Sequence, residues 1–135
     1  MSSMMNSMMS TAPLTSDMDM PAMQRCVEAC SACSQACVMC ADLSGDGMRM
    51  SSAMCLNTAD MAHTMMRLLM RPAAMHPASV MAMAEAMIVA ANACAAECMR
   101  HADHYEYMRT CAQACTECAN ACQALLPMGH GTGPA

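Results

Sequence analysis

Cysteine recurs in this chain at intervals of three and four residues. The segment CVEACSACSQACVMC, residues 26–40, has five cysteines at spacings of four, three, four and three. The segment CAQACTECANAC, residues 111–122, has four more at spacings of four, three and four. Because an α-helix turns once in about 3.6 residues, these alternating steps place side chains on one face. Each segment therefore predicts a helix that has a continuous stripe of thiols.

The stripes continue as heptad seams through the other helical segments. Cys26, Cys33 and Cys40 lie seven residues apart, the spacing that helices turn toward a shared core. Extending the seams of the remaining cysteines by one heptad reaches Met48, Met87, His101, His104 and Met108. We predict that all 12 cysteines face one interior: Cys26, Cys30, Cys33, Cys37, Cys40, Cys55, Cys94, Cys98, Cys111, Cys115, Cys118 and Cys122.

Turn signals divide the chain into a helical region and two tails. Residues 1–16 are rich in Met and Ser and are predicted to be a disordered tail, as are residues 127–135. Residues 17–126 are predicted to form helices over about 19–43, 48–70, 78–102 and up to 126, with an unmarked third junction near HADHYEY. Long helices with short links indicate an all-α, antiparallel four-helix bundle with a Cys-lined core, ferritin-like in outline.

Composition excludes several classes of protein. The net charge is -5 and every basic residue is Arg, which argues against a nucleic-acid partner and against a P-loop lysine. No apolar run reaches the roughly 18 residues that a membrane span needs, so we expect no membrane partner. No export signal is recognisable in the N-terminal 20 residues. We therefore expect a cytoplasmic, reducing compartment in which thiols stay free.

The interior must be filled by residues that can also bind metal. The chain has 23 Met, 12 Cys and no Phe or Trp. Structural zinc needs four ligands per site, and iron–sulfur clusters need four convergent thiolates, so an unbroken helical stripe suits neither well. Cu(I) accepts two or three soft sulfur ligands, and one Cu⁺ for each thiolate would keep the buried charge neutral. This balance predicts about 12 or more Cu(I) ions per chain.

The two stripes, together with CAAECMRHADHYEYMRTC across the third junction, resemble the bacterial copper storage proteins over residues 20–126. The resemblance, which is to the cytosolic branch, implies storage of many Cu(I) ions by cysteine pairs, a tetramer, and a mouth at which His101 and His104 admit copper. A copper chaperone or a small-thiol copper carrier would then be a partner. Helices 2 and 3 depart from the family pattern, because they have Met where richer members have Cys.

Two other classes of function remain open. One is a thiol-based scavenger or sensor of other soft ions, such as Zn, Cd or Hg, and the other is a structural bundle braced by disulfides. No enzyme is predicted, because the inward positions are Cys, Ala and Met, whereas a di-iron oxidase bundle needs inward Glu and His. A buried thiol stripe is also unlike an activated nucleophile.

Register along an antiparallel bundle predicts one asymmetric mouth. We expect Met48, His101 and His104 in the outermost layer, with Cys40, Cys98 and Met108 below it. A layer of four thiols should follow, and bulky side chains should close the opposite end: Cys37, Cys55, Cys94 and Cys111 for the thiols, and Met23, Val80 and Leu125 for the closed end.

The remaining candidate residues have ordinary structural explanations. Glutamates between the cysteines are expected to point into solvent, and the other histidines to be solvated: Glu28, Glu97 and Glu117, with His63, His76 and His130. Methionines of helices 2 and 3 are expected to fill the core, with Met66 and Met87 on the seams. Those of the N-terminal tail, Met4, Met5, Met8 and Met9, are expected to be low-complexity sequence.

Overall fold

A computed structural model of the chain describes residues 3–4, 7–8 and 19–126. Within residues 19–126 it contains four long helices: α1 (Met20–Ser44), α2 (Arg49–Leu69), α3 (Pro77–Met99) and α4 (Glu106–Leu125). Short 3₁₀ turns, Asp46–Met48 and Pro72–Ala74, join the first three helices. Residues 127–135 and most of 1–16 lie outside the described residues, so the two predicted disordered tails stay predictions.

The helix ends follow the sequence signals with small shifts. Asp19 occupies the N-cap position of α1, although its side chain caps no backbone N–H, and a proline lies in the first turn. Gly45 has φ 63°, a conformation that favours glycine, directly after α1. The third junction differs most, because α3 ends at Met99 rather than near residue 102. His101 and His104 therefore lie in a turn, which ends at Tyr105, the residue in the N-cap position of α4.

Each helix packs against two neighbours. The helix α1 contacts α2 and α4 most extensively, and α3 likewise contacts α2 and α4. Consecutive helices connected by short turns run in opposite directions, so α1 and α3 point one way and α2 and α4 the other. The predicted all-α, antiparallel four-helix bundle with a Cys-lined core is confirmed.

Heptad steps divide the core into layers. One layer closes the end where α1 begins, and its four members are almost completely buried: Met23, Leu69, Val80 and Leu125. This agrees with the predicted closed end and adds Leu69 to it. The α2 seam differs from prediction by one residue, because Met65 is fully buried whereas Met66 is only partly buried.

Two of the helices are apolar over most of their length. By length and mean hydropathy, α1 and α3 could each cross a bilayer, contrary to the expectation that no segment would. Both helices turn buried residues toward the shared core. Because core helices of water-soluble bundles pass the same test, this feature is weak support for a membrane span.

Leu69 should contribute strongly to the stability of the closed end. Its side chain is fully buried, so Leu69→Ala should leave a cavity and lower the free energy of unfolding by about 2–5 kcal/mol. Urea unfolding of the reduced, copper-free chain measures this. The matched control is Leu43→Ala, since Leu43 is 54% exposed and its loss should cost no more than about 0.5 kcal/mol. Equal effects of the two substitutions would contradict the packing.

Candidate functional site

A ladder of sulfur atoms runs between α1 and α4. Its five rungs join sulfur atoms 3.5–3.8 Å apart: Cys26–Cys122, Cys30–Cys118, Cys33–Cys115, Cys37–Cys111 and Cys40–Met108. Along α1 the steps between rungs are four, three, four and three, and the same steps lead backward along α4 from Cys122 to Met108. Because the two helices are antiparallel, equal rhythms keep every rung in register. The Cys spacing therefore aligns the two helices over residues 26–40 and 108–122.

The opposite wall, formed by α2 and α3, has thiols only near one end. Cys55 of α2 lies 3.8 Å from Cys94, 3.9 Å from Cys98 and 4.0 Å from Cys111, all measured between Sγ atoms. Deeper in the core, the buried side chains of this wall are mostly Ala and Met, together with Thr58 and, at the closed end, Leu69 and Val80. The core is thus lined by thiols on both walls near the end where α1 and α3 finish, and on one wall elsewhere.

Four groups of thiols are compact enough to hold metal. In each group the Sγ atoms all lie within 4.8 Å of one another: Cys37, Cys55, Cys94 and Cys111; Cys40, Cys55, Cys98 and Cys111; Cys26, Cys30 and Cys122; and Cys33, Cys37 and Cys115. The first group is the four-thiol layer that heptad register predicts. The two groups of four share Cys55 and Cys111, and Cys37 belongs to two groups. Metal ions in adjacent groups could therefore be bridged by shared thiolates.

All 12 cysteines are free and buried, as predicted. Hydrogen bonds between neighbouring thiols lower the pKa of some cysteines and raise that of others. The bond with Cys122, followed by that with Cys30, lowers the pKa of Cys26 to about 5 despite burial. The bond with Cys111 likewise lowers the pKa of Cys94.

Other thiols in the same groups hold their protons more tightly. Contact with Cys118 and burial raise the pKa of Cys30, and contact with Cys111 and burial raise that of Cys37. A buried group of thiols thus favours one thiolate stabilised by protonated neighbours over several adjacent negative charges. Binding of a metal ion would displace the protons that remain on the thiols.

The predicted mouth contains one histidine that approaches the core and one that does not. The side chain of His101 is 30% exposed, and Met48 is partly buried against the core. Met108 is fully buried and accepts a hydrogen bond from the Cys40 thiol at 3.5 Å. His104 is exposed, with its ring edge-on to Tyr105 at a centroid distance of 6.5 Å. His104 is therefore at the predicted end of the bundle but faces outward from it.

Glu97 corrects the expectation that all three glutamates between cysteines point into solvent. Glu28 and Glu117 are exposed, but Glu97 is buried between α2 and α3. The hydroxyl of Ser51 donates to Glu97 Oε2 at 2.8 Å, and the Arg100 guanidinium donates to Oε1 at 3.1 Å. The position lies three residues after Cys94, so the seam spacing contained a signal for inward placement. The partner on α2 could not be identified from sequence.

Glu97 also selects the tautomer of a neutral His101 ring. The Ser51 hydrogen bond is the main cause that lowers the pKa of Glu97, with contributions from His101 and Arg100. The carboxylate is then ionised at neutral pH and can only accept hydrogen bonds. Its Oε2 lies 3.2 Å from His101 Nε2, so that nitrogen is the donor. In the neutral ring the lone pair is therefore on Nδ1, where it can bind a metal ion.

The other candidates keep ordinary surroundings. His63 and His76 are exposed, and His76 Nδ1 lies 2.6 Å from the Ser79 hydroxyl. Met4 and Met8 are exposed. His130, Met5 and Met9 lie outside the described residues. Met87 is fully buried, as its seam position predicts.

The fold and the sulfur-lined core define a class of helical bundle that can bind many soft metal ions. The chain belongs to the copper storage protein family, whose model matches residues 18–127. A search of curated proteins gave no match.

Solved structures with the same fold come from Streptomyces lividans. The copper storage protein Ccsp, loaded with 10 copper equivalents, is 33% identical, with a TM-score of 0.85 over 90% of this chain and 97% of that one. A structure described as copper loading to a cytosolic copper storage protein, with five coppers, is 34% identical, with a TM-score of 0.75 over 78% and 92%. A Ccsp variant with two histidines replaced by alanine is 34% identical, with a TM-score of 0.77 over 80% and 95%.

Proposed function

We propose that this chain stores Cu(I) in the core of its bundle. The observation that carries the proposal is the set of 12 buried, free thiols. Eleven of them lie 3.6–4.0 Å from a neighbouring Sγ atom, and the twelfth, Cys40, lies 3.5 Å from the Met108 sulfur. Thiolates and thioethers are soft ligands, and Cu(I) accepts two or three of them without a demand for tetrahedral geometry. A continuous sulfur ladder offers an ion successive sites along one channel. Membership of the copper storage family supports the same function.

Charge balance sets the capacity. Each buried thiolate is costly without a countercharge, and one Cu⁺ per thiolate gives a neutral interior. The expected load is therefore about 12 Cu(I) per chain. We propose as copper ligands the 12 cysteines together with Met48, Met87, Met108, His101 and His104.

Copper would enter at the end where α1 and α3 finish. Neutral imidazole and thioether can hold Cu(I) without adding a buried negative charge and can pass it to thiolates below. His101 with its free Nδ1, and Met108 at 3.5 Å from Cys40, support this direction. The opposite end is closed by the apolar layer of Met23, Leu69, Val80 and Leu125.

We also propose a cytoplasmic location and a homotetrameric assembly. A reducing compartment keeps 12 thiols available, and one of the solved relatives is described as cytosolic. The outer face of α3 has exposed apolar side chains, among them Val89 at 70% exposure, which a partner subunit could cover. A copper chaperone or a small-thiol copper carrier would deliver the ion.

Anaerobic titration of the reduced chain tests storage. All 12 thiols should react with a thiol reagent after unfolding, and the folded chain should bind about 12 Cu(I) before a chromophoric Cu(I) chelator begins to compete. Parallel titrations with Zn²⁺ and Cd²⁺ are the controls and should saturate at a few ions. Saturation at one to four Cu(I) would reject storage and indicate a sensor. Fewer than 12 reactive thiols would indicate disulfides.

A further inference from the structure

We propose that a second buried methionine, Met65, joins Met87 as a metal ligand in the inner half of the core, and that each of them completes a layer of two thiols. The proposal rests on Cu(I) storage as proposed above. It assigns to the inner half a mixed thiolate–thioether chemistry, in contrast to the all-thiolate groups nearer the mouth. Met65 lies off the seam position that the sequence predicted, which was that of Met66.

Heptad register places Met87 beside the rung formed by Cys30 and Cys118. The four Sγ atoms of Cys37, Cys55, Cys94 and Cys111 define one layer, since they lie within 4.8 Å of one another. One heptad deeper, about 10.5 Å along each helix, the layer contains Cys30, Ala62, Met87 and Cys118. All four of these residues are fully buried.

Heptad register also places Met65 beside the rung formed by Cys26 and Cys122, two heptads below a different layer. Heptad register assigns Ser51 and Cys98 to the layer of Cys40 and Met108. Two heptads deeper, the corresponding residues are Cys26, Cys122, Met65 and Ala84. These four residues are also fully buried. The rungs Cys30–Cys118 and Cys26–Cys122 therefore each face one methionine and one alanine across the core, whereas the same register places Thr58 and Ala91 opposite the Cys33–Cys115 rung. Alanine is small, so the methionine is the larger of the two facing side chains, and rotation about its side-chain bonds would bring its sulfur toward the thiols.

A thioether already takes part in the sulfur ladder at another level. The Cys40 thiol donates to the Met108 sulfur at 3.5 Å, a distance equal to or shorter than those of the all-thiol rungs. The core thus accommodates thiol and thioether as partners in one rung. In the inner layers, thiols of α1 and α4 could pair in the same way with a thioether of α2 or α3, which lies across the bundle.

Coordination chemistry gives the inner methionines a function. With thiols on one wall only, an inner Cu(I) ion has fewer thiolates within reach than an ion near Cys55. A neutral thioether supplies a further ligand without a further buried negative charge, so the ratio of one ion to one thiolate is kept. Met65 and Met87 would therefore strengthen inner sites without changing the total capacity.

The test uses methionine labelled with ¹³C at the methyl group and Cu(I) as the probe. Met65→Leu and Met87→Leu assign the two signals and remove the sulfur while nearly conserving side-chain volume. Met66→Leu is the matched control, since Met66 is adjacent to Met65 but only partly buried. During anaerobic titration the Met65 and Met87 signals should shift as the inner thiols fill, whereas the Met66 signal should move much less. The chelator should also extract copper about ten-fold more readily from the Met65→Leu/Met87→Leu variant than from Met66→Leu.

The outcomes separate this proposal from the storage function. If about 12 ions bind but the Met65 and Met87 signals shift no more than that of Met66, the methionines are core filler and the inference is wrong. If only a few ions bind, storage itself fails, and the inference fails with it. A double Leu variant that holds all its copper as tightly as the control variant would also overturn the inference.

Discussion

Copper loading is expected to raise the melting temperature of this chain by tens of degrees. A ligand that binds only the folded state stabilises it by about 2.7 kcal/mol per site when its free concentration is 100 times Kd. About 12 such sites would add an amount larger than the whole stability of an ordinary domain, which is about 5–15 kcal/mol. The copper-free core has no Phe or Trp and is built of Cys, Ala, Met and a few Leu and Val, so the starting stability should be modest.

Circular dichroism during anaerobic heating measures this effect. The reduced, copper-free chain should already be highly helical, because buried seams and good helix formers do not depend on metal. Its melting temperature should then rise progressively with each added equivalent of Cu(I), and a strong Cu(I) chelator should reverse the rise. A copper-free chain that is unfolded and folds only with metal would contradict the packed core of the structure. So would a melting temperature that does not respond to copper.

The stabilisation should also depend on pH. Copper displaces protons from thiols, so acid competes with copper for sulfur, and the increase in melting temperature should shrink as pH falls. Thiols such as Cys30, whose pKa is raised, should make this competition visible even near neutral pH. Thermal scans of loaded and copper-free chain at several pH values measure the difference. An increase that is independent of pH would contradict thiolate ligation.

The sequence predicts the sulfur ladder because the same cysteine spacing occurs in two segments. Steps of four and three on α1, matched in reverse on α4, determine the faces of both helices and their mutual register, including the position of Met108. The shorter α2 and α3 stripes contain less information. On α2 a single cysteine, Cys55, defines which face is buried. A shift of one residue rotates that face by about 100°, and this is the difference between the predicted Met66 and the buried Met65.

The burial of Glu97 could not be predicted from the cysteine spacing of α3 alone. Its spacing from Cys94 allows an inward direction, but a carboxylate is buried only where donors satisfy it. The main donor, Ser51, belongs to another helix, 46 residues earlier in the chain. The relative heights of α2 and α3, which bring the two side chains within 2.8 Å, follow from packing across the core. The end of α3 differs from the prediction for a related reason, because the residues of the third junction contain neither Gly nor Pro.

His101 should control the rate at which copper enters. His101→Ala should slow loading from a chelated Cu(I) donor by about ten-fold, while the final copper content stays near that of the parent chain. The reason is that His101 offers a neutral nitrogen ligand at the thiol-rich end, whereas the sites that hold copper are thiolates deeper in the core. His104→Ala should slow loading less, since its ring faces outward. Stopped-flow absorbance under anaerobic conditions follows the transfer, and His76→Ala is the control because His76 is exposed on the linker before α3.

Glu97 should act on loading through His101. Glu97→Gln keeps the size of the side chain but removes the charge that holds the proton on His101 Nε2, so both imidazole tautomers become available and loading should slow. In a chain that already has His101→Ala, the same Glu97 substitution should have little further effect on the loading rate, because coupled residues are not additive. It should still lower the free energy of unfolding, since the bonds with Ser51 and Arg100 are weakened in either background. If Glu97→Gln slows loading equally with and without His101, the carboxylate acts on copper by another route; if His101→Ala loads at the rate of His76→Ala, copper does not enter past His101.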